Sequence, residues 1–119
     1  MKVILLTLAV AILPVTTLAQ PSASAFTGSV LAGLCGDDRK DAELACLMFL
    51  QGALQAHAVL THMGAEKLFC PPANQYISND QYRLVFLDMV RNDDFGRRAS
   101  EDRAIFVLFG ALNRRFPCR

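Results

Sequence analysis

Four cysteines, Cys35, Cys46, Cys70 and Cys118, constrain this chain more than any other feature, and the last of them stands one residue from the end in "LNRRFPCR". A thiol on a free tail is open to oxidation and wrong pairing unless a partner holds it. An even cysteine count reads as disulfides only in an exported chain. The opening "MKVILLTLAVAILPVTTLA" supplies that context: Lys2 precedes an uncharged apolar run that is broken by Pro14 and followed by small residues at Thr17 and Ala19. This is the layout of a secretory signal peptide over residues 1–19, with an alternative cut after Ala25. A membrane anchor wants roughly 20 unbroken apolar residues, more than the run offers. The expectation is a periplasmic protein with no membrane anchor after cleavage.

Net charge is +1, and losing Lys2 with the leader leaves the mature chain formally neutral. Nucleic acid, which wants a basic face to neutralise phosphates, is thereby disfavoured, and proteins become the expected partners. Residues 20–119 read as a single domain, small enough that its surface-to-volume ratio leaves stability marginal without cross-links. No C-x-x-C occurs, so zinc and thioredoxin-like readings are weak.

The rest of the chain reads as four helices. Thr27 is placed to cap the first, with Phe26 stapling onto Leu31 and an end near Cys35 and Gly36. A long second helix over 38–63 takes Asp38 as its cap and stops at Gly64. Gln51, Gln55, Ala58 and His62 form its polar stripe, and Gly52 in mid-helix marks a close crossing. Ser78 and Gln81 form a capping box for the third, whose apolar positions Tyr82, Val85, Phe86, Met89 and Val90 recur at helical spacing. "RNDDFGRRA" breaks that pattern and reads as a loop. The fourth runs from a Ser100 cap through Ile105, Leu108, Phe109 and Leu112 to Arg114 and Arg115. Nothing alternates like a strand, so the fold class is an all-α four-helix bundle.

Four cysteines allow three pairings, which sequence alone leaves open. Helix order favours one. Short connections make successive helices antiparallel, so the ends of the second and fourth lie together, Cys70 near Cys118. The first two form a hairpin that brings Cys35 near Cys46.

In their order along the chain, the opening helix ending in Cys35, "CLMFLQG" with a glycine six residues past Cys46, "FCPP", Gln81 and "ALNRRFPC" resemble the Rap and Tai family of type VI secretion immunity proteins. The resemblance spans about 26–118. Phe49 stands where the family usually has tyrosine, and "RNDDFGRR" replaces a common proline-containing turn. What it implies is an exported helical homodimer, not an enzyme, that binds and blocks a peptidoglycan amidase effector. A second reading, similar to small exported acid-stress chaperones, would act by exposing apolar surface without a toxin partner; the neutral charge and two histidines give it little support.

The stretch 91–99 offers the candidate partner contacts: Arg91, Asp93, Asp94, Phe95, Arg97 and Arg98, since arginines and exposed aromatics anchor interfaces. The competing reading is a solvated turn whose charges pair with one another. No catalytic, cofactor or metal pattern stands out. His57 and His62 are five residues apart and diverge on a helix, His57 packed and His62 on the surface. Asp37, Asp38 and Asp41 lack the spacing of a calcium loop and lie where a helix cap wants acids. Phe106 and Phe109 are expected in the core and a dimer seam.

Overall fold

A computed structural model describes residues 26–119; the expected leader and its cleavage sites lie outside them. Within the described residues there are five helices and no strand: α1 (Gly28–Cys35), α2 (Lys40–His62), α3 (Asn79–Asn92), α4 (Asp94–Ala99) and α5 (Ala104–Arg115). The all-α class and both disulfides are as read from the sequence. Cys35 pairs with Cys46 and Cys70 with Cys118, with Cα atoms 5.0 and 4.9 Å apart.

The core forms where one stripe of each long helix meets the others. Leu31 of α1, Leu50 of α2, Phe86 of α3 and Leu108 and Leu112 of α5 are completely excluded from solvent. α1 and α5 come close at Gly28, where a Cβ would stand under 3 Å from the Val107 side chain. Arg83 of α3 donates to the Cys35 carbonyl at 2.9 Å, pairing one of the carbonyls that the end of α1 leaves without a helical partner. Two caps are those expected: Thr27 accepts from the Val30 amide, and Ser78 and Gln81 close the capping box of α3.

Three expectations are corrected. Asp38 does not cap α2. The helix begins at Lys40 after Arg39, because the Asp37 carboxylate takes both the Arg39 amide and its guanidinium and fixes a turn one residue later. Ser100 does not cap α5 either; it closes α4. Its carbonyl accepts the Ser29 amide at 2.7 Å, that of Asp102 accepts the Gly28 amide at 2.9 Å, and the Ala104 amide returns a bond to the Phe26 carbonyl. Pairing the free amides at the start of α1 holds 100–103 in a turn, closed by the Asp102 amide on the Ala99 carbonyl, so the cap of α5 moves to Arg103 and the helix starts three residues late. Gly52 lies at no crossing: it is exposed, and a Cβ there would meet nothing within 4 Å.

The end of α2 is as expected. Gly64, at φ +99°, donates to Thr61 while Ala65 donates to Leu60, a pair of bonds that closes the helix through a left-handed residue. The connector, residues 65–77 between α2 and the cap of α3, then returns to α5, where the Cys70 amide donates to the Phe116 carbonyl at 2.8 Å. α2 is long and apolar enough to cross a bilayer by length and composition. Its disulfide to α1 and the burial of Cys46, Leu50 and Ala53 instead make it a helix of the bundle core. The polar stripe is on the wet side, and beside it Leu44, Met48, Val59 and Met63 are each more than half exposed.

Candidate partner-binding surface

The stretch read as a loop at 91–99 contains α4, and its construction begins with Asp93. Its carboxylate accepts the Phe95 amide at 2.8 Å, capping α4, and meets the Arg114 guanidinium of α5 at 3.2 Å. Partial burial works against ionisation, but the Phe95 amide, Arg114 and the Gly96 amide outweigh it and hold the Asp93 carboxyl below its ordinary range. Gly96 then lies against the end of α3 so tightly that a Cβ would fall on the Met89 carbonyl. Only glycine lets the two helices meet at this corner.

This corner directs Phe95 across to α5. Its ring presses on Gly110, where a Cβ would stand 2.7 Å from the ring, and Arg114 covers it at 5.2 Å from the centroid. Such a cation over an aromatic face is held by the ring quadrupole. Phe95, Phe106 and Phe109 with Leu68 from the connector line an open groove of about 660 Å³, and Asn113 and Arg114 supply its polar edge. Phe106 is 67% exposed and Leu68 48%.

The candidate contacts therefore separate into three groups. Asp93 and Phe95 build the groove together with Arg114. Asp94, Arg97 and Arg98 lie exposed on α4, Arg97 paired with the Asp94 carboxylate and Arg98 donating to the Asp94 carbonyl. Arg91 reaches the other way, over Gly36 at the end of α1. The local charge pairing of a solvated turn is thus present, while the aromatic contributes to a concave apolar surface.

Sequence reasoning missed Leu68, Gly110, Asn113 and Arg114. Leu68 sits in a proline-containing connector with no periodicity, and the contacts that bring that connector to α5, the Cys70 to Cys118 bridge and the Cys70 amide on the Phe116 carbonyl among them, join residues far apart in the chain. The Leu68 carbonyl accepts from Asn113 at 2.7 Å and its amide donates to His57 Nε2 at 3.0 Å. His57 is packed as expected, stacked on Phe69 at 4.9 Å with Phe109 at 5.4 Å, and His62 is exposed. Phe106 is not core: it faces solvent at the groove, while Phe109 is half-buried behind it.

A family model described as Rap1a immunity proteins matches residues 27–118, nearly all of the described structure. The chain belongs to that family. The resemblance read from the cysteines and their neighbours is thereby borne out, and membership of the Rap1a immunity proteins makes a secreted effector the partner to look for. No curated protein and no solved structure matches the chain. Binding a protein partner calls for a surface with apolar, concave and aromatic character, which the groove between α4, α5 and the connector has.

Proposed function

We propose that this Rap1a immunity protein works in the periplasm against a type VI secretion effector, binding a peptidoglycan amidase and covering its active site without catalysis of its own. The observation that carries the reading is the groove between α4, α5 and the connector, on a chain matched over 27–118 by the family model. Exposed Phe106 and Leu68 offer desolvation, and Arg114 over Phe95 adds a cationic aromatic edge, the side-chain types that dominate protein interfaces. Asp94, Arg97 and Arg98 form the charged rim.

The two disulfides and the apolar leader support an oxidising compartment. The amidase as target rests on the motif order from Cys35 to "LNRRFPC". A second copy belongs on α2: Leu44, Met48, Val59 and Met63 lie along a helix of 23 residues, roughly 34 Å long. A seam on that face would lie away from Phe106 and Phe109 and leave the groove for the effector.

The test is a strain lacking this protein, challenged with amidase effectors delivered to the periplasm. Sensitivity relieved by the full chain, and not by a chain without residues 1–25, is the expected result. A deletion strain that survives every such amidase as well as its parent contradicts the reading.

A further inference from the structure

Leu68 is the one groove wall contributed by the connector, and the bonds that hold it are unusual for a loop. Its carbonyl takes the Asn113 amide, and its N–H donates across 11 residues to His57 Nε2. An imidazole nitrogen accepts only while it carries no proton, so this bond requires neutral His57 with its hydrogen on Nδ1. The ring is fixed in place between Phe69 of the connector and Phe109 of α5. Protonation would turn Nε2 into a donor facing a donor, with the Leu68 amide left unpaired.

We infer that His57 is a positioning residue for the groove: by accepting the Leu68 amide it holds the connector wall in place, and protonating it releases that wall and weakens effector capture. This rests on the groove being the effector site. The charged or titratable groups around the ring are few. Lys67 approaches from the connector, Tyr82 from α3, and α5 presents only Phe109. Tyr82 stays neutral, since burial pushes its phenol above the ordinary 10.0. Burial first, and the Lys67 charge second, push His57 below its ordinary 6.5. No carboxylate from these elements offsets them. The sign follows: a group whose folded value is lowered holds its structure fully above about pH 6.5 and loses it as the pH falls through the lowered value.

The test has two arms. In the free protein, the hydrogen-exchange protection of the Leu68 amide is compared at about pH 7.5 and about pH 5 in the wild type and in His57→Gln, whose amide oxygen accepts but does not titrate. Protection lost in acid by the wild type and kept by the variant is expected. Equal behaviour of the two, in either direction, overturns the inference. In the second arm, affinity for an amidase that the wild type inhibits is measured across the same range. Wild-type binding should weaken roughly tenfold in acid while His57→Gln binding shows a flatter profile. Parallel profiles overturn the inference. Phe106→Asp separates the two claims: if it binds as well as wild type, the groove reading fails, while the Leu68 protection still decides whether His57 holds the wall.

Discussion

Arg114 and Asp93 join the two ends of the candidate surface: the guanidinium of α5 meets the carboxylate that caps α4 at 3.2 Å, and the same guanidinium covers Phe95. One side chain thus fixes the angle of a six-residue helix, too short to hold itself, against the rest of the bundle. Asp93→Asn should therefore loosen α4. The carboxyl is held below the ordinary 3.8, so its contribution is complete above about pH 4 and disappears as the pH falls through the lowered value. In thermal melts the variant and the wild type should differ at neutral pH and converge only once the pH has fallen through that lowered value. A constant difference across that range would show that the charge plays no part.

The Cys70 to Cys118 bridge ties the connector and the tail together across a loop of about 49 residues, worth roughly 4 kcal/mol in the chain-entropy model, against roughly 3 for the 12-residue loop of the other bridge. Urea unfolding of Cys70→Ser/Cys118→Ser should show the larger loss, together with a looser groove wall, since the Asn113 bond to the Leu68 carbonyl and the Cys70 bond to Phe116 would hold the connector to α5 without the covalent tie.

Two glycines should respond in opposite directions to alanine. At Gly96 the methyl meets the Met89 carbonyl, and displacing α4 should cost about 1–3 kcal/mol. At Gly52 the methyl meets open space in an exposed helical position, and about 0.5–1 kcal/mol of stabilisation is expected. Denaturant midpoints of the two variants check both signs.

Charge reversal at Arg97 and Arg98 should slow association with the effector and steepen no other property, because both lie on the exposed outer side of α4. Binding kinetics at low and high salt separate this rim effect from loss of the groove.

Much of this fold could be read from the chain because the signals were local. The Ser78 to Gln81 box needs only four residues, and the direction of each helix, with the shortness of the connections, sufficed to pair the cysteines. What escaped depended on distant partners. Ser100 followed by Glu101 and Asp102 has the form of a helix start, but its carbonyl is taken by Ser29, some seventy positions earlier. α4 was hidden because its cap draws on Arg114 and its packing on the Met89 carbonyl. A mid-helix glycine suggested a crossing at Gly52, whereas the close approaches fall at Gly28, Gly96 and Gly110. Phe95 was singled out for its chemistry, but its role as a wall required Gly110 opposite it. Leu68 carried no signal of its own.

The most direct measurement is inhibition of a purified peptidoglycan amidase effector by the wild-type protein and by Phe106→Asp, with circular dichroism confirming that both remain folded. Phe106 is largely exposed, so the fold should be unaffected. Near-stoichiometric inhibition by the wild type and at least roughly a 30-fold loss of affinity in the variant are predicted, the scale of an interface hot spot. Equal inhibition by the two proteins would contradict the assignment of the groove, and no inhibition of any amidase effector by the wild type would contradict the proposed function itself.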